Sequence, residues 1–364
     1  MTTTHPGVAV PLPDLEFFSA DDVLTLGGDP RLLQRALRRG DVVRVCHRIY
    51  ARSRPDDEVE RHLQVLRACL SGPVSDGVVG GVTAALLHGL DPGPEVLPTR
   101  VTLLRPGAGA CTQDYEVLAT RLPASHICEL DTTPVSSVAR TVVDITRREP
   151  FGSLTGLVVV DSALRRCADP GALRAEIEQV LADLRGCTGL SRTRSVLREA
   201  TSHAAGATET ISRALLGRMG IPAPLLDVTF RWPPALDDAA PPFWTPQRTG
   251  DVEPGRPGTG AVTIPFSWPD TRLLGVVLDR SGERGIPTGW QGDRREWLRG
   301  PRRHLREIGW HLVEWSPEDL RDPWPLSQRL TTIMRELNGG FGPLSWSSLG
   351  RPISGGQRRA SLPF

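Results

Sequence analysis

The sequence contains no lysine: all 43 basic residues are arginine. A coding bias toward Arg, Ala, Gly and Pro accounts for this most simply. It still has a chemical consequence, because any mechanism built on a lysine amine is excluded. No CxxC pair occurs among the six cysteines (Cys46, Cys69, Cys111, Cys128, Cys167 and Cys187), so metal-ligand spacing is missing and a disulfide framework would be denser. Reduced thiols in a cytoplasm are expected. The start, MTTTHPGVAVPLP, has no basic segment and its apolar run is broken by prolines, which argues against a signal peptide. No apolar run approaches the roughly 18 residues of a membrane span. The net charge of +1 is too small for a polycation, so a nucleic-acid site would have to arise from local clustering.

What is present is length enough for two or three domains, with 39% hydrophobic and 23% charged residues, as in soluble globular proteins. Residues 1–16 and 338–364 read as loose, disordered tails. Ser19, Asp21 and Asp22 mark a helix start that Gly27-Gly28 ends; Asp29-Pro30 starts a second helix that Gly40 closes. VVRVCHRIYA then predicts two short strands reversing near His47-Arg48. A long helix is expected near residues 57–70 and a buried one over 77–90. Strands follow near 100–104 and 115–120, then a TTPVSS turn, then helices over 138–147, 151–166 and 170–200. From residue 201 come a helix (TETISRALLGRMG), a strand (LLDVTFRW), an irregular segment over 233–260, two strands (TIPFSWPD, RLLGVVLD), a helix (REWLRGPRRHLREIG), a strand (WHLVEWS) and a last helix with a proline break.

The segment over residues 30–52, PRLLQRALRRGDVVRVCHRIYAR, carries the most chemistry. Leu32, Leu33, Ala36 and Leu37 form an apolar stripe; Arg31, Gln34, Arg35 and Arg38 fall opposite. Residues 19–54 hold eight arginines against four aspartates, a local excess in a near-neutral chain. Two helices, the second basic outside, followed by a basic hairpin, follow the order of a winged helix-turn-helix. Arginine suits both guanine contacts and phosphate clamping. Pattern alone leaves DNA binding and an ordinary solvated face equally open.

FFSADDVLTLGGDPRLLQRALRRGDVVRVCHRIYA resembles the N-terminal winged helix of the AbiE-type (type IV toxin–antitoxin) antitoxin family, in its actinobacterial branch. TAALLHGL (83–90), TPVSSVARTVVDI (133–145) and VVVDSALRR (158–166) resemble that family's middle region, with Gly80-Gly81 replacing its usual Ser-His. The resemblance implies a multidomain α/β chain: a winged helix over 17–75, a mixed α/β middle domain over 76–200, and a third domain over 201–337. It implies a cytoplasmic DNA-binding repressor of its own promoter, without a cofactor, with double-stranded DNA and a nucleotidyltransferase toxin as partners. Arg31, Gln34, Arg35, Arg38 and Arg39 would then read the major groove, and Arg44, His47 and Arg48 would hold the backbone. Arg48 stands where the family has the wing's glycine, and a non-glycine there is expected to reshape the turn.

GWHLVEWSPEDLRDP and SWPDTRLLGVVLD resemble the closing segment and central hairpin of a very-short-patch-repair-like endonuclease domain, of restriction-endonuclease-like fold. Active members hold Mg²⁺ with carboxylates and use a lysine. Glu209 matches the leading acid and Asp279 survives near the second strand. Pro265 stands where an Asp belongs, Val276 or Val277 where another acid belongs, and Arg299 near the lysine's place. Asp270 reads as a turn residue. The expectation is a degenerate, inactive domain without a metal; a divergent nuclease using Glu209 and Asp279, and a pure protein-interaction module, are the alternatives. Trp232, Trp244, Trp268, Trp290 and Trp310 are expected mostly to pack rather than to form an interaction face. His88, Asp144 and Asp161, in apolar helices, are expected to be hydrogen-bonding residues rather than catalytic ones.

Overall fold

The computed structural model describes residues 12–72, 74–93, 97–148, 154–231, 261–278 and 300–340. The irregular segment expected over 233–260, most of both expected tails, and Asp279, Arg299, Trp232, Trp244 and Trp290 lie outside the described residues. The chain divides into two compact units, one reaching Ala163 and including Cys167–Ala200, the other comprising Leu164–Arg166 and the chain from Thr201 onward. Both are mixed α/β. Among the described residues, no helix is long and apolar enough to cross a membrane.

The first unit opens with β1 (Phe18–Ser19), α1 (Ala20–Thr25), α2 (Pro30–Arg39), β2 (Val43–Cys46), β3 (Ile49–Ala51) and α3 (Glu58–Leu70). Ser19 caps α1 through a reciprocal box: its hydroxyl accepts from the Asp22 N–H, while its own N–H donates to Asp22 Oδ2 at 2.7 Å. Those Ser19 bonds hold the Asp22 carboxyl below its ordinary pKa. The α1–α2 turn is tight because a side chain at Gly28 would strike Val23, with Cγ1 only 2.7 Å away. The three strands pair antiparallel in the order β1-β3-β2.

A six-stranded mixed sheet follows, in the order β6-β7-β5-β4-β9-β8. Its strands are β4 (Val78–Val79), β5 (Val101–Arg105), β6 (Ala110–Cys111), β7 (Tyr115–Ala119), β8 (Ile127–Leu130) and β9 (Thr133–Ser136). Two expectations fail here. Residues 77–90 are not one helix. Val78–Val79 pairs with β5 and β9 before α4 (Gly81–Leu87) begins, because Gly80 sits so close to Leu104 that a Cβ would lie 2.5 Å from its Cγ, and Gly81 takes φ +57°. TTPVSS is not a turn but strand β9; the reversal precedes it, at Asp131 and Thr132, with φ +46° and +68°. Helices α5 (Val138–Arg148), α6 (Thr155–Arg166), α7 (Pro170–Asp183) and α8 (Leu190–Glu199) come next.

The second unit runs α9 (Ala207–Arg218), β10 (Leu225–Arg231), β11 (Ala261–Trp268), β12 (Leu273–Val277), α10 (Pro301–Glu307), β13 (His311–Trp315) and α11 (Pro323–Gly340). Its sheet has the order β10-β11-β12-β13, antiparallel except for the parallel β12–β13 pair. The last helix carries on to Gly340, past the tail boundary expected at residue 338.

Candidate nucleic-acid interface

Helix α2 is fixed at both ends. Asp29 Oδ1 accepts from the Leu32 N–H at 2.7 Å, Pro30 occupies the first turn, and Gly40 ends the helix at φ +79°. The Asp41 N–H returns to the Ala36 carbonyl and the Gly40 N–H to Leu37, the double bond of a glycine C-cap. Leu33 and Ala36 are buried with Phe18, Val23 and Val42. Burying the leucine alone contributes about 2 kcal/mol, so the rotation of α2 about its axis is decided by this stripe.

That rotation leaves Arg31, Gln34, Arg35, Arg38 and Arg39 exposed. Arg31 and Arg35 have no hydrogen-bond or ion-pair partner among the described residues. Arg39 meets Asp41 only at 3.8 Å, with both side chains more than half exposed. Such a pair contributes under about 1 kcal/mol and yields readily to a phosphate.

The hairpin beside it is basic as well. Arg44, His47 and Arg48 are all exposed. Arg48 itself adopts φ +64°, Cys46 stands opposite Ile49, and the ladder shifts register between Arg44 and Cys46. Arg44 Nη2 lies 3.3 Å from His47 Nδ1; a guanidinium only donates, so Nδ1 accepts. Arg54 Nη2 donates to the Arg44 carbonyl and Arg44 Nε to the Cys46 carbonyl. The His47 N–H donates to Asp114 Oδ2 at 2.9 Å, tying the hairpin tip to the turn before β7. Asp114 carried no signal as a hairpin anchor in the sequence, because the contact crosses 67 residues.

The middle of the first unit holds a buried polar network. Arg140, fully buried, donates through Nε to Asp144 Oδ2 at 2.7 Å, and through its remaining nitrogens to the Arg121 carbonyl, Thr120 Oγ1 and His126 Nδ1. Arg147 Nε takes the other Asp144 oxygen at 2.8 Å, and His126 Nε2 lies 3.1 Å from Asp183. Asp144 as a hydrogen-bonding residue was the legible part of this network; its partners Arg140 and Arg147 were not singled out in the sequence. His88 Nε2 meets the Ser136 carbonyl at 2.8 Å. Asp161 is buried within α6.

In the second unit, Glu209 is 3% exposed and its Oε2 accepts from the Ala205 N–H at 2.7 Å. Pro265, Val276 and Val277 are buried in the sheet, and Asp270 is exposed in a 3-10 turn. Among the described residues, no group of three His, Cys, Asp or Glu side chains could hold a metal ion. Trp268 and Trp310 are core residues: Trp268 Nε1 donates to the Pro222 carbonyl at 2.7 Å, and Trp310 packs edge-on against Phe230. Trp315, which sequence reasoning passed over, donates to Ser212 Oγ and packs over Gly275.

No family model matches this chain. It is similar to two curated proteins of Mycobacterium tuberculosis, Uncharacterized protein MT2308 of strain CDC 1551 / Oshkosh and Uncharacterized protein Rv2248 of strain ATCC 25618 / H37Rv. Each is 27% identical over 307 residues, spanning 81% of this chain and 93% of the relative. The likeness therefore runs through both compact units.

Proposed function

We propose that this chain is a DNA-binding transcriptional regulator of the AbiE-type antitoxin kind, with α2 entering the major groove and the β2–β3 hairpin holding the backbone. The observation that carries the reading is the exposed polar face of α2: Arg31, Gln34, Arg35, Arg38 and Arg39 lie outside while Leu33 and Ala36 are buried beneath. The order β1-α1-α2-β2-β3, with β1 paired to β3, supports it, because a winged helix-turn-helix follows its second helix with a hairpin in the same order. Arginine forks at α2 would contact guanine edges and phosphates; Arg44, His47 and Arg48 would contact phosphates or the minor groove. The regulator would repress its own promoter and, where a neighbouring gene encodes one, neutralise a nucleotidyltransferase toxin.

The second unit enters this proposal as a degenerate endonuclease-like domain without catalysis. Its element order, α9-β10-β11-β12-α10-β13, suits such an origin. The positions expected to hold acids carry Pro265 and Val276–Val277, and the one retained acid within the described residues, Glu209, is engaged by a backbone N–H.

The test is binding of the full chain to its own promoter DNA over a salt series. Four to six phosphate contacts give a log–log slope of about −4 to −5. Absence of retention at low salt would refute the reading.

A further inference from the structure

A second basic feature lies in the same unit, apart from α2 and the hairpin. Helices α7 and α8 border an open groove of about 750 Å³ lined by Arg174, Glu178, Ser191, Arg194, Leu197 and Arg198. We propose that this groove binds a small phosphorylated ligand of the nucleotide class.

The groove is held by well-defined contacts. Arg174 Nη1 and Nη2 donate to the Leu197 and Ala200 carbonyls at 2.8 and 2.7 Å, so one guanidinium closes the C-terminal end of α8 and is fixed in place. The opposite end of α8 is set by Gly189, at φ +87° and so close to the Arg147 carbonyl that no side chain fits. Between them, buried Thr193 Oγ1 bonds Thr146 Oγ1 of α5 at 2.9 Å. The groove wall is thus tied by hydrogen bonds at the C-terminal end of α8 and at its middle, and closely packed at its start.

Its chemistry is that of an anion site with one carboxylate. Ser191, Arg194 and Arg198 stand at i, i+3 and i+7 on one face of α8, all exposed. None has a hydrogen-bond or ion-pair partner among the described residues. Four residues of helix separate the two arginines by about 6 Å along the axis, a spacing a di- or triphosphate bridges. The groove carries three arginines against one glutamate. Glu178 likewise has no hydrogen-bond or ion-pair partner among the described residues; a carboxylate there repels phosphate but accepts from hydroxyls, as carboxylates do from ribose.

Two other occupants fit less well. A long nucleic acid needs a basic track, yet α7 carries one arginine against three acids and α8 three arginines against one acid, which cancel. A protein partner needs an apolar centre, and the only apolar lining residue, Leu197, is 7% exposed.

The experiment is calorimetric titration of the full chain with ATP and, separately, with inorganic pyrophosphate at near-physiological salt. ATP is expected to bind, and Arg194→Ala/Arg198→Ala to weaken it at least about tenfold, since two charge-assisted forks are lost. Glu178→Gln is expected to weaken ATP more than pyrophosphate, which has no ribose. The double variant replaces exposed residues only, and an unchanged circular-dichroism melt shows that it folds. No heat with either probe at millimolar concentration overturns the proposal. So does ATP binding that survives in the double variant or that falls instead in Arg35→Ala/Arg38→Ala. If the groove variant weakens binding of a 20-base-pair duplex while leaving ATP unbound, the source is a nucleic-acid backbone, and the nucleotide assignment falls.

Discussion

The backbone N–H of His47 donates to Asp114 Oδ2, so the tip of the β2–β3 hairpin is anchored on the six-stranded sheet rather than swinging free. Asp114 is itself positioned: its N–H donates to Thr112 Oγ1, and its carbonyl accepts from Val101. Asp114→Ala removes one charge-assisted bond at an exposed site, worth about 1 kcal/mol. The His47 amide should then exchange with solvent roughly fivefold to tenfold faster, while the amide of Val45, a buried residue of β2, keeps its protection. Equal acceleration at both would mean that the whole hairpin, not its tip, depends on Asp114.

Arg48 couples strain and charge at one position. Its φ of +64° costs a non-glycine residue about 1 kcal/mol. Arg48→Gly should therefore raise the melting temperature slightly. It should also lower DNA affinity about threefold to tenfold, by removing a phosphate contact. The two effects have opposite signs, so a parallel rise or fall in stability and affinity would remove Arg48 from the proposed interface.

The exposed arginines of α2 provide the direct test of the groove-reading face. Arg35→Ala/Arg38→Ala should lower the log–log salt slope of promoter binding by about 2. The fold should persist, because neither side chain belongs to the buried stripe of Leu33 and Ala36. Arg303→Ala, an exposed ion-paired arginine of the second unit, is the matched control and should leave the slope unchanged.

The legible parts of the fold were those with local punctuation. Asp29, Pro30 and Gly40 act within a few residues, and α2 begins and ends where they stand. The hairpin reversal at His47-Arg48 was equally local. What was not legible depended on distant neighbours. Val78–Val79 becomes a strand because β5 and β9 flank it, and nothing in GVVGGV names those partners. Thr133–Ser136 looks like a turn because its proline and serine are turn formers, yet the reversal is completed by Asp131 and Thr132 at positive φ. In the site, exposure of the α2 arginines followed from helical period alone. The Asp114 anchor and the Arg174 clamp did not, since each joins elements whose approach is decided by tertiary packing.

Glu209 discriminates a structural carboxylate from a catalytic one. Buried at the start of α9, it accepts from the Ala205 N–H. Glu209→Ala leaves that N–H short of an acceptor and should destabilise the protein by about 1–3 kcal/mol, read from the urea midpoint. Supercoiled DNA should remain uncut by wild type and variant with Mg²⁺ or Mn²⁺. Metal-dependent cleavage by wild type that disappears in the variant would instead restore the nuclease reading.

His62 makes stability depend on pH. It is 7% exposed on α3, with Nε2 3.0 Å from Thr83 Oγ1, whose oxygen also accepts from the Thr102 N–H. Burial lowers its pKa below the ordinary 6.5, against a smaller opposing effect from a backbone bond to Pro98. The unfolded chain therefore takes up a proton near pH 6.5, before the folded chain does. Stability from this residue is complete above that pH and declines as the pH falls below it, at no more than about 1.4 kcal/mol per pH unit for one proton. His62→Gln cannot titrate, so subtracting its profile from that of wild type isolates the histidine. Urea midpoints measured from pH 8 to pH 5 should fall more steeply for wild type than for the variant. If the two profiles run parallel, protonation is accommodated in the folded state, and the α3–α4 packing around His62 is looser than its burial implies.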